Sequence, residues 1–406
     1  MERGVSTTVQ ATLMVVLLVV GVLGGYFWGT TTGQPSTVFV TERVTRTVTS
    51  TTTVGGAQAP TTPTAPTTPT PPGGTTTPTP TQRVIYAPEL VEAARREGKL
   101  VIYTTMPLAT INIIADDFRR KFPGISVEVW SGRADTMIPK VIGEYRGGVY
   151  AVDVIFATDA TMALFLREGI ILSRPPTVSM PDDFPRELIL DIGYAVRNVV
   201  WLISYNTRLV PPDRAPTSLE DLARPEWRGR LVLTDFITYW PVVMYLLIPL
   251  NQMWGEQKFW DWMRGVLANR PTWRSEPVPV MSAVEVGEAA VGLVVSSNLP
   301  PPISRNAPIA WVWINPMFGF STPVSMASRA QNPNAARLFI TYLVNEGGRV
   351  LQEVGEIPAV INPNYPTHTL VKSIPPNYKV QLGKILTDEE LNKFTDRIRV
   401  VMGEIR

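Results

Sequence analysis

The side chains able to do chemistry in this sequence are short hydroxyl and amide groups at the ends of apolar runs. "KLVIYTT" ends in Thr104 and Thr105, "ISVEVWSGRADT" runs into Arg133, and "VDVIFATDAT" delivers Thr158 and Asp159. Each of these tips leads straight into a helical stretch, so backbone N–H groups and the helix dipole favour a polar or anionic ligand there. Further along, "RLVLTD" places Thr234, and "VGLVVSSN" places Ser296, Ser297 and Asn298, at two more polar tips. Taken singly, Thr158 and Asp159 are ordinary helix caps; several such tips meeting in one crevice make a binding site. Arg133 is either a solvated surface arginine or a fork of donors matched to a carboxylate or phosphate-like group. Trp311 and Trp313 share one face of an extended run that reaches Asn315. In a cleft they would stack on a ring, a sugar or a quaternary ammonium; otherwise they pack a hinge.

Nothing in the chain assembles a catalytic centre. There is no Gly-x-Ser-x-Gly elbow, no phosphate-loop lysine motif and no His-Glu-x-x-His. One histidine, His368, and no cysteine leave most nucleophile–base pairs without members. Asp116 and Asp117 are neighbours on a helix and cannot both face one site. The expectation is therefore no enzyme, no cofactor and no metal. A net charge of +2 without a Lys/Arg cluster gives no footprint for nucleic acid.

These tips need a sheet to carry them. From residue 88 onward helical spacing alternates with short apolar strands. Ile111, Ile114, Ala115 and Phe118 fall on one helical face, and Pro123-Gly124 ends that helix. Such alternation predicts a parallel sheet covered on both faces, with ligands beyond the carboxyl ends of the strands. Helices are also expected at 256–267 and 282–290. Two long extended runs, "YAVRNVVWLISYNTRLV" and "APIAWVWINPMFGFSTPVSM", bracket a central α/β block. The chain is thus expected to cross twice between lobes: 83–195 with 316–406 as the first, 196–315 as the second. That is a two-lobed α/β clamp.

The N-terminal 82 residues have a different composition. Ala11–Trp28 carries no charge and is barely long enough to cross a hydrocarbon core of roughly 30 Å as a helix, with Tyr26 and Trp28 at the interface. Arg3 before it and Glu42 as the next charge put residues 1–29 as cytosolic tip and anchor, with the rest of the chain outside; a cleaved signal is the competing reading. Residues 30–82 include "TTPTAPTTPTPPGGTTTPTPT", which cannot bury enough surface to fold and is expected to be a disordered, extended stalk. Many prolines and no cysteine hint at a thermophile.

Four phrases carry a family resemblance: "EGKLVIYTT", "VDVIFATDATMALFLREGIILSRPP", "PTSLEDLARPEWRGRLVLTDF" and "NPNAARLFITYLVNEGGRVLQEVGEIPAV". Together they resemble the extracellular solute-binding proteins of ABC importers, in the group that includes the ferric-iron-binding proteins. The resemblance implies the type II periplasmic-binding-protein fold, a small-molecule solute, and delivery to permease subunits served by a cytosolic ATPase. Iron-binding members carry adjacent tyrosines where this chain has Ser296, Ser297 and Asn298. The expected ligand is accordingly an oxyanion or small polar organic anion, with ferric iron or an iron chelate as the alternative. A surface-layer or adhesion protein is the alternative from another class; it accounts for the anchor and stalk but not for the clamp.

Overall fold

The computed structural model describes residues 85–405 apart from 174, 377, 379, 382–385 and 387. The expected anchor and stalk lie outside the described residues. Among the described residues no helix is long and apolar enough to cross a membrane.

The first lobe runs α1 (Pro88–Glu97), β1 (Lys99–Thr104), α2 (Leu108–Lys121), β2 (Ser126–Ser131), α3 (Ala134–Arg146), β3 (Val154–Phe156) and α4 (Asp159–Arg167). Local chemistry sets these limits. Pro88 opens α1, where its missing N–H costs nothing, and Gly98 closes it at φ 67°. The residues expected on the inner face of α2, Ile111, Ile114, Ala115 and Phe118, are the ones it buries. Burying a side chain the size of Phe118 contributes about 1.5–3 kcal/mol. β1 lies between β2 and β3 in parallel register, so all three carboxyl ends point the same way. One face of this sheet packs α2 through Ile111, Ile114 and Phe118. The other packs α3 and α4 through Met137, Val141, Met162 and Phe165.

After β4 (Ile189–Leu190), the strand β5 (Gly193–Asn206) leaves the first lobe and enters the second. That lobe comprises β6 (Leu231–Thr234), α5 (Trp240–Trp254), α6 (Glu256–Ala268), β7 (Thr272–Arg274), α7 (Pro277–Val286), β8 (Val291–Val295), α8 (Pro300–Ser304) and β9 (Ile309–Trp313). β6 lies between β7 and β8, again in parallel. β5 continues the sheet antiparallel to β8, with β9 on its far side. The return crossing is β10 (Met317–Met326), antiparallel to both β5 and β3. The two crossing strands approach closely at Gly319, where a Cβ would stand 2.1 Å from the Val199 carbonyl oxygen. α9 (Pro333–Tyr342), α10 (Gly348–Val354), β11 (Ile357–Pro358), α11 (Thr369–Lys372), β12 (Val380–Gln381) and α12 (Asp388–Ile405) complete the chain.

Three sequence expectations need correction, and one helix was not foreseen. The second extended run is not one strand: β9 stays in the second lobe, and only β10 crosses back. Pro316 stands between them and has no N–H to give a ladder. The helix expected at 282–290 begins at Pro277 and stops at Val286, because Gly287 turns left-handed at φ 81°. α5, rich in β-branched and aromatic residues and holding Pro249, was not expected as a helix; its burial in the second-lobe core overrides weak propensity. Residues 388–405, grouped by sequence with the first lobe, pack on the second. Leu391, Phe394 and Ile398 of α12 join Trp240, Phe259 and Trp260 in one apolar cluster.

Candidate functional site

The carboxyl ends of β1, β2 and β3 come from one lobe and those of β6, β7 and β8 from the other, and side chains connect the two sets directly. In the first lobe the tips are braced before any ligand is considered. The buried Thr104 hydroxyl donates to the Phe156 carbonyl at 2.7 Å and accepts the Met106 N–H at 3.0 Å. Ser131 Oγ donates to the Met106 carbonyl at 2.6 Å, and the Thr105 N–H donates to the Phe156 carbonyl at 3.1 Å. Thr104 is thus a strut between strands, while the half-buried Thr105 follows it at the tip.

Thr158 caps α4: its hydroxyl accepts the Thr161 N–H at 3.3 Å and lies 2.9 Å from the Thr161 hydroxyl. Asp159 accepts the Ala160 N–H at 2.7 Å and also the hydroxyl of Tyr245 on α5. That second bond joins the lobes. Burial, reinforced by the Asp159 charge, holds the Tyr245 phenol well above its ordinary pKa. The Tyr245 ring lies 4.8 Å from that of Phe320 on the crossing strand.

Arg133 makes the other connection. Its Nε and Nη2 donate to Asp135 at 3.1 and 2.9 Å, and its Nη1 donates to Glu276 of the second lobe. Its guanidinium carbon stands 5.0 Å from the Tyr239 ring centroid, also in the second lobe. Burial raises the Tyr239 pKa, and the Arg133 charge counters it. The sequence left Arg133 as either a solvated surface arginine or an anion receptor; here both edges of its fork are engaged by carboxylates.

In the second lobe the expected residues sit where β6 and β8 end. Thr234 is 2 % exposed and its Oγ1 has no hydrogen-bond partner among the described residues. Ser296 is buried and accepts the Val200 N–H at 3.3 Å. Ser297 and Asn298 are half-buried, and Asn298 Oδ1 is buried without a partner. These two oxygens are the unspent polar capacity of the second-lobe tips. Both indole N–H groups of Trp311 and Trp313 donate to Ser373 Oγ, at 3.0 and 3.1 Å, tying β9 to the segment after α11. Asn315 is exposed at the junction of β9 and β10. No group of three His, Cys, Asp or Glu side chains that could hold a metal occurs among the described residues.

Sequence reasoning missed Tyr239, Tyr245 and Glu276. Tyr239 lies just beyond the β6 tip and Glu276 just beyond the β7 tip, so their signal was position after a strand, the same one that marked Thr158. Their polarity differs from the hydroxyl tips, and Tyr245 is hidden inside an apolar run.

Two α/β lobes joined by two crossing strands, with opposed strand tips bridged by side chains, define a solute-binding clamp. The chain belongs to the family of bacterial extracellular solute-binding proteins, whose family model matches residues 151–379. It is 25 % identical over 207 residues to a curated protein named Fe(3+)-binding periplasmic protein from Serratia marcescens, covering 50 % of this chain and 58 % of that relative. The match therefore spans little more than half of the relative's length. Among solved structures, the substrate-binding protein of an ABC transporter from Agrobacterium tumefaciens superposes with a TM-score of 0.63 at 15 % identity, over 75 % of this chain and 94 % of that one. Iron-bound HitA from Pseudomonas aeruginosa gives 0.54 at 17 % identity, over 76 % and 99 %. The ferric binding protein from Campylobacter jejuni gives 0.56 at 17 %, over 75 % and 99 %. At these identities the likeness is one of fold.

Proposed function

We propose that this protein captures a small solute between its lobes outside the cell and hands it to an ABC-type import permease, the apolar run 11–28 and the Thr/Pro segment 30–82 acting as anchor and stalk. The observation that supports this best is the opposition of strand tips from both lobes, with α3 and α4 presenting their N-termini on one side and Thr234, Ser296 and Asn298 standing on the other. Helix N-termini and hydroxyls favour an oxyanion or a small polar organic anion. Closure over such a ligand stabilises it by letting both lobes contact it at once.

A second reading has its own support. Tyr239, Asp135 and Glu276 gather around Arg133 as a phenol and two carboxylates, the hard oxygen donors that ferric iron prefers. Relatives bearing iron in their names point the same way. Native mass spectrometry of the purified full-length protein, with metal analysis of the same sample, separates the two. A co-purified anion without iron supports the first reading. Stoichiometric iron with a visible phenolate band that Tyr239→Phe abolishes replaces it with the second. Protein that carries neither, and that binds neither on titration, overturns both.

A further inference from the structure

We infer that Arg133, Glu276 and Tyr239 form a clasp that biases the two lobes towards closure through contacts made wholly within this chain. The inference rests on the clamp reading only in taking the lobes to move relative to each other. It does not depend on which solute is bound.

The geometry of the guanidinium carries the argument. Asp135, in the same lobe, takes two donors from one edge of the fork, Nε at 3.1 Å and Nη2 at 2.9 Å. That bidentate grip orients the plane and leaves Nη1 aimed outward. Nη1 meets Glu276, which lies 143 positions along the chain at the start of α7 in the other lobe. The Tyr239 ring, also from the other lobe, covers the same group at 5.0 Å. One cation of the first lobe is thus held by a carboxylate and an aromatic face of the second. The Arg133 and Glu276 side chains are 32 % and 37 % exposed, so water and salt reach the pair. Opening the lobes separates these charges without burying either, so the clasp is reversible.

A consequence follows for any anionic solute. Glu276 occupies the donor that an incoming anion would seek on Arg133, so an anion that binds this donor must displace the carboxylate. Glu276 then acts as an internal competitor as well as a closing contact.

The chain has no cysteine, so a pair of introduced cysteines is labelled without background. Ile113→Cys on α2 and Val278→Cys on α7 are suitable, being 44 % and 57 % exposed in different lobes. Pulsed dipolar spectroscopy on the full-length, spin-labelled protein reads the interlobe distance distribution. The closed-to-open ratio should fall about 2- to 5-fold in Glu276→Gln, as for loss of a half-exposed ion pair. It should fall about 3- to 10-fold in Arg133→Leu, which also removes the cation–π contact. The double variant should match Arg133→Leu alone, because the two changes break one contact. Raising ionic strength should open the parent protein, since the Debye length falls from about 10 Å at 0.1 M to about 3 Å at 1 M, and should leave Glu276→Gln unmoved. Distributions that are the same in the parent and all three variants, with melting temperatures unchanged, overturn the clasp. So does strict additivity in the double variant. A solute found by mass spectrometry alongside unchanged distances would overturn the clasp and leave the binding reading in place.

Discussion

Arg197 of the crossing strand β5 and Glu356, just before β11, form a buried ion pair whose removal has a calculable consequence. Their side chains are 4 % and 2 % exposed, with Nη2 and Nε of Arg197 at 2.7 and 2.9 Å from the same Glu356 oxygen. Arg197 pairs across the ladder with Thr322 of β10 and Pro358 of β11, so the ion pair fixes the segment after α10 against both crossings. Replacing Glu356 by Ala leaves a buried guanidinium without its counter-charge. Breaking a buried pair in this way costs about 3–5 kcal/mol. At about 2–4 °C per kcal/mol, the melting temperature should fall by roughly 6–20 °C. Replacing both partners together, as Arg197→Met with Glu356→Leu, removes the charges along with their desolvation penalty. That double variant should lie within about 2 kcal/mol of the parent. Denaturant unfolding of the four proteins in a double-mutant cycle gives the coupling directly. If Glu356→Ala loses less than about 1 kcal/mol, or if the double variant is worse than both singles, the pair does not carry the cost of a buried charge pair.

Three further outcomes are expected. Tyr245 holds its proton more tightly folded than unfolded, so its contribution is complete below the unfolded phenol value of about 10 and is lost as pH rises from there; melting temperature against pH should fall less steeply above pH 10 in Tyr245→Phe. Gly319→Ala should destabilise by about 1–3 kcal/mol, because its Cβ would stand 2.1 Å from the Val199 carbonyl and one crossing strand must shift; an unchanged denaturation midpoint would show that the strands are further apart. Ser373→Ala should alter tryptophan emission, since Trp311 and Trp313 both donate to that hydroxyl, whereas solute addition should leave those two indoles undisturbed; single-tryptophan variants measured with and without solute test this.

The sequence was enough to locate most of the elements that carry the site. The buried face of α2, the strands β1, β3 and β8, and the Thr158 cap are each encoded within a turn or two of chain, where period, caps and glycines act locally. The tips of β6 and β8 were legible for the same reason, and there Thr234 and Asn298 keep unpartnered buried oxygens. Tertiary structure alone decided what those tips face. Arg133 read as a solvated surface arginine or an anion receptor, and only the fold brought Glu276 and Tyr239 to it from the other lobe. For Trp311 and Trp313 the sequence left open cleft stacking or hinge packing, and only the fold showed both indoles bonded from the edge strand β9 to Ser373. The apolar face of α12 found its partner, Trp260, on the opposite lobe from the one to which its position in the chain assigned it. Backbone conformation depends on neighbours a few residues away, and so can be read from the sequence. A contact between lobes depends on strand order and on the angle between two bodies, which no local pattern records.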